Sequence, residues 1–287
     1  MARIDRHQNR VWLAELEVEE LSEMLDDSFS IIRQIPRLTS LNSIQHEARS
    51  LAAFQSVLDP KAPEIRMCFI SAARAIAGLY HCAQKEEGTV EVELGDGGAP
   101  VVFEATGINA LTHDGTWQTG FHLAAILRDR ELMDLLCTFT TDQLRQAPGV
   151  TSEPFFYPFV EALRGYWAGD PNTAMYLAEA MELTEPERLV MANPDAVLHR
   201  AVPWMEVFFR LLEHDQKAFN DALVKALELH KAYWGSETAD RADDIEGILA
   251  LELCSMAALA YEQDIEIQVE SDYIPGWLVR GEVAQQD

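Results

Sequence analysis

The sequence lacks any pair of cysteines at the spacing used for zinc binding or redox chemistry. Its four cysteines lie far apart and mostly within helical patterns: Cys68, Cys82, Cys137 and Cys254. Isolated thiols of this kind are typical of reduced, buried side chains. Residues 1–10 lack the apolar segment of a signal peptide, and no run approaches the ~18 apolar residues of a membrane span. We therefore expect a cytoplasmic protein with no membrane partner.

The sequence also lacks the motifs of the common catalytic and cofactor-binding sites. It contains no GxSxG nucleophile motif, no phosphate-binding glycine loop and no dinucleotide-binding fingerprint. His46-Glu47 begins a zinc-protease motif, but the second histidine, four positions after the first, is absent. One enzymatic hypothesis is a magnesium site of the all-α prenyl-chain type at Asp243, Asp244 and Glu246, although no second acidic motif is present to face it. We predict no catalytic residue, no metal and no cofactor, and we interpret the protein as a binding protein rather than an enzyme.

Two further histidines, His81 and His122, could be either functional residues or ordinary parts of a helix. His81 and Cys82 are adjacent, and adjacent residues point to different sides of a helix, which favours one core and one surface residue over a metal site. His122 is a lone histidine in an apolar helical stretch. That setting favours a packed histidine over a functional one.

Basic residues are scarce, since 22 Lys and Arg stand against 48 Asp and Glu and give a formal net charge of −26. The excess is concentrated in three stretches. Residues 11–30 hold seven acids and no base, residues 86–114 hold seven and none, and residues 235–287 hold thirteen acids and two bases. Such charge repels phosphate, which argues against nucleic acid as a partner. Segregated acids favour a cationic partner, and a merely solubilising surface is the open alternative.

Most of the sequence has the 3.6-residue periodicity of amphipathic helices. The pattern predicts helices over residues 11–27, over residues 43–58, and from Pro63 towards Gln84. The first of these places four apolar residues near one face, with glutamates on the other: Trp12, Leu16, Leu21 and Leu25.

Two segments have the alternation of β-strands. Residues 89–94 alternate strictly, a glycine-rich turn signal follows, and a second apolar run begins at Val101, which is the pattern of a β-hairpin. Residues 265–270 alternate in the same way. We expect the hairpin of residues 89–104 and the strand of residues 265–270 to join in one small sheet. The outward face of that sheet would carry four acids: Glu91, Glu93, Glu266 and Glu270.

A loose internal repeat with an offset of 45 residues lies between these segments. Residues 158–180 parallel residues 203–226, each reading as helix, turn and helix, and an earlier copy begins at Trp117. The turn of each copy carries an aspartate that is expected to cap the helix after it: Asp129, Asp170 and Asp215. Helical hairpins of this length stack into α-solenoids and are loosely similar to tetratricopeptide repeats.

These patterns predict a mostly α fold of stacked helical hairpins with a small β-hairpin or sheet. The length and composition allow one large domain or two closely packed ones, and we predict one domain over residues 1–287. We expect four segments within it: an N-terminal helical segment (1–42), helices with the hairpin (43–114), the helical repeats (115–234), and a C-terminal helix, strand and tail (235–287).

Five strings, in order between about residues 65 and 280, resemble the immunity protein 49 family of bacterial polymorphic toxin systems. They are Trp117 with Leu123-Ala124 through Arg128-Asp129; Phe155-Phe156-Tyr157-Pro158 through Gly169-Asp170; Phe219-Asn220-Asp221-Ala222-Leu223 with His230-Lys231-Ala232-Tyr233-Trp234; Ile248-Leu249-Ala250-Leu251 with Ala257-Ala258-Leu259-Ala260; and Ile267-Gln268-Val269-Glu270-Ser271-Asp272-Tyr273-Ile274-Pro275 with the tail Trp277-Leu278-Val279.

The resemblance implies a cytoplasmic protein that protects a bacterium by binding a cognate secreted toxin. Toxins of such systems are often nucleases, and a nuclease cleft that attracts phosphate is cationic. We therefore predict that a basic toxin domain binds an acidic surface formed by Glu91, Glu93, Glu266, Glu270 and Asp272. The alternative is a helical-repeat adaptor that holds a peptide near Arg164, Arg210, Lys217 and Lys225. The sequence leaves the oligomeric state open, a homo-oligomer included.

Overall fold

A computed structural model of the chain describes residues 2–8, 10–236 and 241–282. These residues form two compact units. The hairpin unit comprises residues 10–150, and the repeat unit comprises residues 2–8 together with the described residues from 151 to 282. The first predicted repeat copy therefore belongs to the hairpin unit, and the other two belong to the repeat unit. One domain over the whole chain stays a prediction.

The described residues form short strands and many helices. The strands are β1 (Ala2–Ile4), β2 (Thr89–Val92), β3 (Val101–Glu104) and β4 (Val269–Ser271). The helices of the hairpin unit are α1 (Val11–Gln34), α2 (Leu38–Leu58), α3 (Pro63–Ala83), α4 (Asp114–Leu127), α5 (Arg130–Cys137) and α6 (Thr141–Leu144). Those of the repeat unit are α7 (Phe156–Ala168), α8 (Thr173–Glu182), α9 (Pro194–Ala196), α10 (Val202–Glu213), α11 (Gln216–Trp234), α12 (Ile245–Ile248), α13 (Leu251–Glu262) and α14 (Gly276–Val279), with a 3-10 turn at Pro186–Arg188 and a π-helical turn at Val197–Ala201. The mostly α prediction is confirmed.

In the hairpin unit, α3 is the central helix and is buried along most of its length. It packs against α2, against α4 and against β2. The Tyr80 hydroxyl donates a 3.0 Å hydrogen bond to the His113 carbonyl, which ties α3 to the start of α4. The Trp117 indole donates to the Leu136 carbonyl at 2.8 Å and closes the hairpin of α4 and α5.

In the repeat unit, the helical hairpins α7–α8 and α10–α11 pack through aromatic rings. The Phe159 ring lies edge-on against Trp204, with centroids 4.4 Å apart, and near Phe208 at 6.0 Å. Helix α13 is almost entirely buried and packs on α10 and α11. The Gln263 amide at its end donates a 2.6 Å hydrogen bond to the Tyr166 hydroxyl of α7.

The prediction that an aspartate caps the second helix of each helical hairpin is confirmed for two of the three hairpins. Asp129 and Asp215 each accept a hydrogen bond from the backbone three residues on, as N-caps do. Asp170 is not the N-cap of α8, because Pro171 and Asn172 separate it from the helix; its carboxylate accepts from the Asn172 backbone instead. In all three turns the residue before the aspartate has a left-handed backbone: φ is 61° at Arg128, 69° at Gly169 and 55° at His214.

The prediction of one sheet shared by residues 89–104 and 265–270 is wrong. The hairpin forms as predicted, with β2 antiparallel to β3 and Val92 opposite Val101. The C-terminal strand is β4, at residues 269–271, and it pairs in parallel with β1 in a separate two-stranded sheet. Residues 265–268 extend towards α11 instead. There the Asn220 side chain donates to the Glu266 carbonyl at 2.8 Å and accepts from the Gln268 backbone N–H at 2.6 Å. These two backbone groups are therefore hydrogen-bonded to a side chain rather than to a neighbouring strand.

Candidate functional site

The outer face of the β-hairpin presents the first pair of predicted partner-binding acids. The β2–β3 register places Glu91 opposite Val102 on the exposed side, while Val92 and Phe103 point inwards and are buried. Glu93 continues the alternation and is exposed. Among the residues that the structure describes, neither Glu91 nor Glu93 has a basic nitrogen within 4.0 Å. Their charges therefore face solvent without neutralisation.

The other three predicted acids lie in the repeat unit, and two of them contact the N-terminal segment. A guanidinium nitrogen of Arg3 lies 3.7 Å from the Glu270 carboxylate, and another lies 3.4 Å from that of Asp272. Asp272 also accepts a 3.2 Å hydrogen bond from the Arg6 backbone. Glu266 is exposed and accepts from the Gln268 side chain at 3.1 Å. The five acids therefore do not share one sheet face, and Asp272 anchors residues 2–8 to β4.

Some acids of the third acidic stretch are neutralised by arginines from elsewhere in the sequence, and others accept hydrogen bonds from neutral groups. Glu246 forms a close ion pair with Arg200, and Glu252 lies 4.0 Å from the same guanidinium. Asp244 caps α12, and Asp243 accepts a 3.3 Å hydrogen bond from the Gln8 side chain. The acids of the magnesium hypothesis are thus occupied by separate partners. Within residues 2–8, 10–236 and 241–282, no three His, Cys, Asp or Glu side chains converge on a metal position.

Helix α1 carries a surface that the sequence reasoning misplaced. Of the four apolar residues predicted on one face, Leu25 is buried and Leu21 is half-buried, but Trp12 and Leu16 are 66% and 47% exposed. The buried side of α1 is instead centred on Ala14, Leu25 and Ile32. A projection at 100° per residue separates Trp12 and Leu16 from that side, and this signal was available in the sequence.

The basic residues of the adaptor hypothesis are largely engaged within their own helices. Arg164 pairs with Glu161 at 2.6 Å, and Lys217 pairs with Asp221 at 2.6 Å. Arg210 lies 2.7 Å from Glu206 and 2.6 Å from Glu213. These contacts stabilise helix surfaces locally.

Two buried histidines and two buried cysteines are held in their neutral forms. Burial, with a smaller effect of Arg49, lowers the pKa of His122 to about 3. Burial likewise lowers the pKa of His230 to about 3. It raises the pKa of the Cys68 thiol to about 12 and that of Cys82 to about 11. Neutral imidazoles and protonated thiols in the core suit packing rather than proton transfer or nucleophilic attack.

Two of the strings that carry the family resemblance meet in the core of the repeat unit. Tyr273 is fully buried, and its ring contacts His230 edge-on with centroids 4.7 Å apart. The Tyr273 hydroxyl accepts from the His7 backbone at 2.7 Å, and His7 stacks on the same ring. These residues hold the C-terminal segment in place and are not available to a partner.

Comparisons with known proteins identify one family. The family model described as Immunity protein 49 matches residues 59–278. No curated protein and no solved structure matches the chain. No helix among the described residues is both long and apolar enough to cross a membrane.

Proposed function

Because the chain belongs to the immunity protein 49 family, we propose that it binds a cognate secreted bacterial toxin in the cytoplasm and neutralises it. The match to residues 59–278 carries this proposal. In the proposed mechanism, one copy of the protein covers the active site of one toxin domain through an acidic surface, without catalysis and without a cofactor.

The charge distribution supports an electrostatic mode of recognition. Among the described residues, Glu91 and Glu93 of the hairpin have no basic nitrogen within 4.0 Å, and Glu266 and Glu270 are exposed on the repeat unit. A basic toxin, such as a nuclease with a cationic cleft, would be attracted to such a surface. Charge complementarity mainly raises the association rate, so we expect fast binding that weakens as salt is added.

Co-expression tests the proposed function. The product of the gene adjacent to that of this chain is expressed in a bacterium with and without the chain. We expect growth arrest without the chain, rescue with it, and co-purification of the two proteins in equal amounts. Growth arrest that the chain does not relieve would contradict the proposal.

A second set of variants tests the predicted acids. Glutamine at Glu91, Glu93, Glu266 and Glu270 should slow association and weaken its salt dependence. The control variant carries glutamine at two exposed acids of the helical repeats, Glu179 and Glu228. It should leave the association rate and its salt dependence unchanged. Unchanged binding by the fourfold variant would remove these acids from the interface and leave the immunity function itself standing.

A further inference from the structure

Helix α1 carries large apolar side chains that are about half or more exposed. Trp12 is 66% exposed, Leu16 is 47% exposed and Met24 is 50% exposed. Tryptophan is the side chain most often found as the anchor of a protein–protein interface. Such exposure on one well-formed helix marks an interaction surface.

Two of the exposed apolar residues are followed by acids along one side of the helix. Trp12, Leu16, Glu19, Glu20 and Glu23 follow the helical spacing i, i+4, i+7, i+8 and i+11, which brings them onto one side; we refer to them as the α1 stripe. At ~1.5 Å of rise per residue the stripe is about 16 Å long.

The acids of the stripe have no basic neighbours. Residues 11–30 contain seven acids and no Lys or Arg. Among the described residues, none of Glu19, Glu20 and Glu23 lies within 4.0 Å of a basic nitrogen, in contrast to Glu246 and Asp272 of the repeat unit. The stripe therefore combines apolar anchors with uncompensated negative charge.

The opposite side of α1 is fixed to the rest of the hairpin unit. Ala14 and Ile32 are buried, and the Ser28 hydroxyl donates a hydrogen bond to the Glu47 carboxylate of α2. Changes in the exposed stripe should therefore leave the fold intact, which makes the surface testable by substitution.

We propose that the α1 stripe is the surface on which the toxin docks, with Trp12 and Leu16 entering an apolar pocket and Glu19, Glu20 and Glu23 meeting lysines or arginines around it. The inference rests on the proposed function and gives it a docking surface separate from Glu91, Glu93, Glu266 and Glu270, whose contribution the fourfold glutamine variant tests. A cationic protein is the occupant that the charge favours, because two copies of this chain would bring like charges together.

Binding kinetics with a catalytically inactivated toxin domain from the adjacent gene test the docking surface. The variant W12S/L16S should weaken Kd at least tenfold, mainly through faster dissociation, because it removes the apolar anchors. The variant E19Q/E20Q/E23Q should slow association several-fold at low salt and change dissociation little. Both variants should keep the circular dichroism spectrum of the wild type, and neither should lower the Tm.

The matched control is M175S/E179Q on α8, which removes a 58% exposed methionine and an exposed acid one turn apart. It should bind as the wild type does. If W12S/L16S binds the toxin within twofold of the wild type, the α1 stripe is not the docking surface, while the immunity function is unaffected. If the wild type itself binds no toxin, the proposed function fails. A wild-type dimer in sedimentation equilibrium that W12S/L16S converts to a monomer would assign the stripe to a second copy and overturn the inference.

Discussion

At the scale of single residues, Glu153 shows how a carboxylate can be buried at a small cost. It is only 3% exposed, and its oxygens accept hydrogen bonds from the backbone N–H groups of Val190, Met191 and Ala192. Burial alone would raise the pKa of Glu153, but these three hydrogen bonds outweigh it and lower the pKa below its usual value. The charge thereby fixes a loop that is separated from Glu153 by 37 residues in sequence.

Glu153 should make the stability of the protein depend on pH in the acid range. Because its folded-state pKa lies below the unfolded value of about 4.5, the carboxylate stabilises fully above that value and loses its effect as the pH falls towards the folded-state pKa. We expect Glu153→Gln to lower the free energy of unfolding by about 1–3 kcal/mol at pH 7. Urea unfolding between pH 7 and pH 3 should show a smaller loss of stability in this variant than in the wild type.

The exposed Glu179→Gln variant is the control for that series and should follow the wild-type pH profile. An E153Q profile parallel to that of the wild type would contradict the role assigned to Glu153.

At the scale of elements, a glycine decides how the hairpin sits on α3. A Cβ atom on Gly78 would lie 2.6 Å from Cγ1 of Val92, so the close approach of β2 to the helix requires glycine. Helix propensity alone favours alanine over glycine by ~1 kcal/mol in a helix interior. Packing therefore overrides local preference here, and the same contact positions the hairpin that carries Glu91 and Glu93.

Gly78→Ala should destabilise the hairpin unit despite its better helix propensity. Overpacking of this kind costs about 1–3 kcal/mol. In a Val92→Ala background the clash is relieved, so the same substitution should be neutral or stabilising. A double-mutant cycle by urea unfolding measures the difference, and equal costs of Gly78→Ala in the two backgrounds would show that the contact is not responsible.

The hairpin of β2 and β3 and the strand β4 show which features of a sheet an alternating sequence pattern can predict. The pattern over residues 89–104 contained its own turn and its own partner, so it predicted β2 and β3 correctly. The pattern at residues 265–270 did not indicate which strand it would pair with. Its strand pairs with residues 2–4, which lie 267 positions away in register, and no local signal specifies such a pairing.

At the scale of the whole molecule, the net charge is −26, and the acidic residues are of two kinds. Some form ion pairs with basic residues, and others are exposed without one among the described residues. In the repeat unit, Arg3 pairs with Glu270 and Asp272, and Arg200 pairs with Glu246. In the hairpin unit, Asp96 pairs with Arg33, but the acids of the α1 stripe and the outer hairpin face have no such partner among the described residues. Acidic stretches that look alike in sequence thus have different electrostatic roles.

Charge substitutions in the two units should therefore have opposite effects on stability. Arg200→Gln removes the partner of the part-exposed Glu246 carboxylate and should lower the free energy of unfolding by about 1 kcal/mol. Glutamine at Glu19, Glu20 and Glu23 removes only repulsion and should leave the stability unchanged or raise it. Thermal unfolding at low and at physiological salt measures both variants. Salt screens the repulsion among Glu19, Glu20 and Glu23, so any gain in Tm from their replacement should shrink as salt is added. A stability loss in the E19Q/E20Q/E23Q variant would indicate an internal role for these acids.

The sequence by itself determined the mostly α fold, the hairpin, two helix caps and the family, because each depends on local periodicity, turn chemistry or ordered strings of residues. The tertiary structure alone decided which acids are neutralised, since Arg3 and Arg200 reach their partners only after the chain has folded. It also decided which side of α1 is buried, because α2 packs on the side of Ala14, Leu25 and Ile32. Local patterns specify elements, whereas the exposure and pairing of a charge depend on neighbours that are distant in sequence.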